Sequence, residues 1–180
     1  MGANLCKCFF RPVSTLSSDT TDKLIALKKN VHVDKIPLFS LKGQSFLALP
    51  SNVYDGDTLS MVFFLSPTTM VKYRCRCLGY DSPEMKPSLK NPNRDAEKIA
   101  AVQARNRFIE LLQRHPHGLV RIECHEFDKY GRLLVEIHNE IDPISINKIM
   151  IAEGHGYPYE GRTKQAFVET DETLVMVDVD

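Results

Sequence analysis

Two acidic turns and a pair of basic residues give this chain its most specific chemical signature. The first turn is Asp55-Gly56-Asp57-Thr58. The second, Asp81-Ser82-Pro83-Glu84, follows the run Arg74-Cys75-Arg76-Cys77-Leu78-Gly79-Tyr80. Each turn sits at the end of an apolar run, so a hairpin between them brings carboxylates from both ends together, with Arg76 alongside. Carboxylates next to an arginine are the parts needed to hold a hard cation against a phosphate. A third segment, Asp128-Lys129-Tyr130-Gly131-Arg132, adds a basic turn in which Gly131 suits the positive φ of a tight connection.

The rest of the chain must supply the scaffold. At 180 residues it is long enough for one domain with a real core, and 43% hydrophobic with 26% charged residues is a globular composition. The formal net charge is zero, so total charge points to no nucleic-acid partner. That charge is unevenly spread, however. The last twelve residues carry Glu169, Asp171, Glu172, Asp178 and Asp180 with no Lys or Arg, so zero minus −5 leaves the remainder at +5. A body of that charge suits a phosphate-binding surface.

The five cysteines fall as Cys6-x-Cys8, Cys75-x-Cys77 and Cys124. None has the C-x-x-C spacing of a zinc site, and Cys75 and Cys77 share one strand face as small buried hydrophobes. Reduced thiols in an intracellular setting are expected, and no apolar run or secretory signal points to a membrane span or to export.

The N-terminus, Met1-Gly2-Ala3-Asn4-Leu5-Cys6-Lys7-Cys8-Phe9-Phe10-Arg11, supports two readings. One is a lipid anchor, with Gly2 myristoylated after Met removal and Cys6 or Cys8 palmitoylated. Lys7 and Arg11 would help it hold membrane lipid at the cytoplasmic face. The other is an ordinary disordered terminus, since the pattern wants Ser or Thr where this chain has Cys6.

The periodicities predict strands over residues 44–53, interrupted near Pro50, then 58–65, 70–78, 119–127 and 133–138. Helices are expected over 22–30 with Thr21 as cap, and over 95–114 with Ile99, Val102, Phe108, Ile109, Leu111 and Leu112 on the apolar face. Two more are expected over 146–153, capped by Ser145 and stopped by Gly154, and over 161–168. Residues 1–21 thus read as anchor segment and linker, 22–35 as a short helix, 36–168 as the globular domain and 169–180 as an acidic tail. Five short strands with a helix after the third is the order of an OB-type Greek-key barrel: a β-barrel with two or three packed helices, α+β in class.

Asp55-Gly56-Asp57-Thr58, Arg76, Asp81-Ser82-Pro83-Glu84 and Asp128-Lys129-Tyr130-Gly131-Arg132 together resemble the staphylococcal (thermonuclease-like) nuclease family, over roughly residues 44–159. Each motif alone is an ordinary turn; their joint order carries the likeness. The resemblance implies one Ca²⁺ held by Asp57, Asp81 and the backbone carbonyl of Ser82, with Asp55 and Thr58 supporting them. Glu84 would be the general base, or would position the attacking water, and Arg76 and Arg132 would grip the non-bridging phosphate oxygens. Lys129, Tyr130 and Tyr157 would contact a neighbouring phosphate, with Tyr159 in the same groove.

The family's activity would be metal-assisted water attack on phosphodiester bonds of single-stranded DNA and RNA, leaving 3′-phosphate ends, by a monomer. The charges are consistent with that. Asp57, Asp81 and Glu84 oppose two arginines and a divalent cation, which leaves one net positive charge where a phosphodiester gains negative charge. Ser82 stands where the family often has Thr, and Pro158 between the two tyrosines is a departure. The N-terminus is similar to that of plant membrane-associated calcium-dependent nucleases. The rival readings are a non-catalytic nuclease-like OB module that binds nucleic acid or protein, and a membrane-anchored adaptor. Relatives of the first kind typically lose the carboxylates and arginines that this chain keeps.

Overall fold

The computed structural model describes residues 18–159 and Phe167. Gly2, Cys6 and Cys8, the residues of the lipid-anchor reading, the helix expected over 161–168 and the acidic tail lie outside the described residues. The chain divides into two units, Met1–Phe39 and Ser40–Asp180. In the first, helix α1 (Ser18–Asn30) begins four residues before the expected start, so Thr21 is an interior residue and not its cap. A 3-10 turn follows at Val33–Lys35.

The second unit is built on a closed five-stranded barrel. Its strands are β1 (Ser45–Ser51), β2 (Thr58–Ser66), β3 (Thr69–Cys77), β5 (Val120–Phe127) and β6 (Leu133–His138), in the spatial order β1-β2-β3-β6-β5, closed by β5 pairing with β1. All pairs are antiparallel except β3 with β6, which is parallel. A short strand β4 (Tyr80–Asp81) pairs with β7 (Tyr157–Pro158) in a separate two-stranded ribbon.

Period-two alternation sends Leu59, Met61 and Phe63 of β2 into the core. Cys75 and Cys77 of β3, Ile122 and Cys124 of β5, and Leu133, Val135 and Ile137 of β6 join them. Cys75 and Cys77 are free and buried, as the strand pattern predicts, and Cys124 is free and buried as well. Strand β1 runs unbroken through Pro50, which faces Met61 of β2. Its ladder with β5 ends at Ala48, so Pro50 lies where β1 has one neighbour only, and a strand tolerates a missing N–H there.

Helix α2 (Arg94–Leu112) follows β4, and its buried face differs from the expected one. Ile99 and Val102 are exposed, whereas Glu97, Ala101, Ala104, Phe108, Leu111 and Leu112 are buried. That set keeps the three-and-four spacing of one helix face. Alanines hold the middle of it because the helix comes very close to Gly56, where a Cβ would meet that of Ala104 at 3.0 Å. Helix α3 (Ile146–Ala152) is capped by Ser145, whose hydroxyl accepts from the Lys148 amide. Its buried Asn147 accepts from Ile137 N at 3.0 Å and donates to Leu78 O at 2.9 Å and Val135 O at 3.0 Å. One amide side chain thus fastens β6 to the end of β3, where Gly79 (φ +86°) turns the chain into β4. Among the described residues, no helix is long and apolar enough to cross a membrane.

Candidate functional site

The site forms where the start of β2, the end of β3 and strand β4 meet. Asp55 sets the first turn, its Oδ1 accepting from the amides of Asp57 (3.1 Å) and Thr58 (2.7 Å). Gly56 fits because Ser82 lies almost against it: an added Cβ would stand 2.9 Å from the Ser82 Cβ. The buried Tyr80 hydroxyl donates to the Gly56 carbonyl, tying the first turn to β4. Asp57 O also accepts from Cys77 N at 2.8 Å. These bonds fix the Asp57 side chain beside Asp81, although the two lie at opposite ends of the β2–β3 hairpin sequence.

Arg76 joins them. Its Nη1 donates to Asp57 Oδ1 at 2.9 Å, and its Nη2 donates to Asp81 Oδ1 and to Tyr80 O at 3.5 Å. The two carboxyl groups are 3% and 5% exposed and the guanidinium side chain 14%, so this is a buried triad with one guanidinium between two carboxyl groups. Burial, then the neighbouring Asp55, pushes the Asp57 carboxyl up to about 7, against the pull of Arg76, the Ser82 amide and the Thr58 hydroxyl. Burial alone would lower the Arg76 pKa, but Asp57 and Asp81 outweigh it and the group is held above its ordinary range.

The second arginine arrives from the β5–β6 turn. Asp128 closes that turn, accepting from Tyr130 N at 2.8 Å and Arg132 N at 2.9 Å, with Gly131 at φ +75°. Its other oxygen takes Arg132 Nε at 2.6 Å. Burial would raise the Asp128 pKa, but the bonds from Arg132 and Tyr130 prevail and lower it. Held this way, Arg132 donates from Nη1 to Thr58 Oγ1 at 3.3 Å, and Thr58 in turn donates to Asp57 Oδ1 at 2.7 Å. The result is a continuous chain: Arg132, Thr58, Asp57, Arg76, Asp81.

Aromatic rings flank both arginines. Tyr159 lies 5.8 Å from the Arg76 guanidinium carbon. The Tyr130 ring has Arg132 at 5.5 Å and Lys129 Nζ at 5.0 Å. Tyr157 is brought to the site by the β4–β7 ribbon, where it pairs with Asp81, and Tyr159 N donates to Gly79 O at 2.9 Å. Pro158 faces Tyr80 in that ribbon.

Glu84 follows Asp81 by three residues. Its side chain is exposed, on the loop after Asp81, and its backbone N–H donates to Glu97 Oε1 at 3.1 Å. The motifs did not reveal Glu97, Tyr80 or Asp128 as supports. Glu97 had a signal, since it continues the Ala101, Ala104, Phe108 spacing, but a charged residue on that face is not counted by hydrophobic periodicity.

Asp57 and Asp81 make an oxygen-only donor pair of the kind a hard divalent cation takes. Ser82 N donates to Asp57 Oδ2 at 3.0 Å, and the buried Ser82 Oγ has no hydrogen-bond partner among the described residues. Those oxygens are the donors a hard cation would take. A second group that could hold a metal, Glu123, Glu136 and His138, lies on β5 and β6. There Arg121 pairs with Glu123, Lys148 with Glu136 at 3.6 Å and His138 with Glu123 at 3.6 Å, so it reads as an ion-pair network.

No protein-family model and no curated protein matches this chain. The functional reading therefore rests on the residues and their geometry.

Proposed function

We propose that the chain is a calcium-dependent nuclease of the staphylococcal nuclease type, hydrolysing phosphodiester bonds of single-stranded DNA and RNA to leave 3′-phosphate ends. The barrel order β1-β2-β3-β6-β5, with β3 parallel to β6, supports an OB-type Greek-key assignment. One observation carries the functional reading: two buried carboxylates converge on one arginine, with a second arginine a single hydroxyl away.

Asp57 and Asp81, with Ser82, would hold the cation, which supplies positive charge where the phosphodiester becomes more negative. Arg132 and Arg76 grip the non-bridging phosphate oxygens as bidentate donors, a role for which lysine is a poor substitute. Glu84 takes the proton of the attacking water, and its exposure suits a group that must meet substrate. Tyr130, Tyr157 and Tyr159 offer ring faces to bases of any identity, which gives weak sequence preference.

A non-catalytic nuclease-like binding module is favoured by one observation, that both arms of Arg76 are engaged by the aspartates. Digestion of heat-denatured DNA separates the two. The nuclease reading expects cleavage with Ca²⁺ that Arg76→Ala and Glu84→Ala each slow by about 100-fold or more. Equal cleavage by these variants and the parent chain would contradict it, and no cleavage by the parent would leave the binding module.

A further inference from the structure

Glu97 is a buried carboxylate in the first turn of α2, 5% exposed, and it forms no ion pair among the described residues. Its first-turn neighbour Asp95 is exposed and pairs with Lys98 at 3.1 Å. A helix dipole favours an acid at this place whether or not it is buried, so the dipole does not explain why Glu97 turns inward. Burying a carboxylate is costly unless its oxygens are satisfied, and the two partners it has are informative.

Oε1 accepts from Glu84 N at 3.1 Å, and Oε2 accepts from Asn91 Nδ2 at 2.5 Å. Both partners belong to the connection between β4 and α2, one near its start and one near its end. Between them Lys86, Ser88, Leu89 and Lys90 are exposed and Pro87 is the buried residue, so packing alone holds this stretch weakly. Asn91 is itself fixed, its Oδ1 accepting from Asn93 N at 2.9 Å. Glu97 therefore ties both ends of the connection to α2, while Arg94 Nε, at the start of the same helix, holds its middle by donating to Pro87 O at 3.3 Å.

We infer that Glu97 is the positioning residue for Glu84: it fixes the backbone from which the general base reaches substrate. This rests on the nuclease reading given above. Glu97 lies beneath the loop, with both oxygens on loop donors, and acts only through the place it gives Glu84. A misplacement of about 1 Å in a reacting group costs up to about 100-fold in rate.

The test is a double-mutant cycle on single-stranded DNA cleavage at saturating Ca²⁺, using Glu97→Ala, Glu84→Gln and the pair. Expected is a fall in kcat of about 10- to 100-fold for Glu97→Ala with KM unchanged, and no further fall when it is added to Glu84→Gln. Ca²⁺ affinity measured by calorimetry should be unchanged, since Asp57 and Asp81 are intact. If Glu97→Ala does not fold, Glu97→Gln and Asn91→Ala take its place; the first removes the acceptor for Asn91 Nδ2, the second removes that donor and also the acceptor for Asn93 N, and each is predicted to give a smaller fall that also vanishes in the Glu84→Gln background. A parental rate in Glu97→Ala, or the same fold-loss in both backgrounds, would overturn the inference. Full activity of Glu84→Gln would instead overturn the assignment of the base on which it rests.

Discussion

Arg132 donates to the hydroxyl oxygen of Thr58 at 3.3 Å, across 74 positions of sequence, and the same hydroxyl donates to Asp57 at 2.7 Å. A single side chain thus links the cation of the β5–β6 turn to the carboxylates of the β2–β3 hairpin. The hairpin brings one arginine and two aspartates; the remaining arginine is placed by a turn on the other strand pair.

Thr58→Val removes both bonds while keeping the shape of the side chain. It leaves an Asp57 oxygen short of a donor in a buried setting, at a cost of about 1–3 kcal/mol. The expected outcome is a lower urea midpoint and about a tenfold or greater loss in kcat/KM, while Thr58→Ser retains most of both. Chemical denaturation and steady-state cleavage check it.

Gly56→Ala should destabilise by overpacking, because its Cβ would stand 2.9 Å from the Ser82 Cβ and 3.0 Å from the Ala104 Cβ. The expected loss is about 1–3 kcal/mol, read from urea unfolding. Adding Ala104→Gly opens one of the two contacts and should recover part of the loss, less about 1 kcal/mol for glycine in a helix.

The Asp57 carboxyl, raised to about 7 chiefly by burial, makes the cation-free protein lose stability as pH rises. Between its ordinary value of 3.8 and about 7 the unfolded chain has already lost the proton that the folded chain keeps. The folded state binds more protons there, so unfolding free energy falls with pH, by at most about 1.4 kcal/mol per unit, and levels off above about 7. Unfolding of the parent and Asp57→Asn in chelator should differ by this slope. Equal slopes would contradict it.

Much of this was legible in the sequence, and the exceptions have physical reasons. The five barrel strands, the Ser145 cap and the Gly131 turn follow from period-two alternation and from residues with a fixed local preference. The Tyr80–Asp81 pairing with Tyr157–Pro158 did not, because two-residue strands carry no periodicity. The buried face of α2 differs from the expected one because close approach to Gly56 selects alanine, which carries little weight in a periodicity of large apolar residues. The Arg76 clamp on two aspartates was visible as composition. Its geometry was not, since it depends on Tyr80 and Ser82 fixing β4 against the first turn.

The central claim is that Asp57 and Asp81 hold a calcium ion on which phosphodiester cleavage depends. Its most direct test is cleavage of a single-stranded oligonucleotide followed continuously while Ca²⁺ is added, then EGTA, for the parent chain and for Asp57→Asn and Asp81→Asn. Cleavage that rises with Ca²⁺, stops on chelation and is lost in both variants is the predicted result. Cleavage that persists in EGTA, or that survives in both variants, would contradict the account.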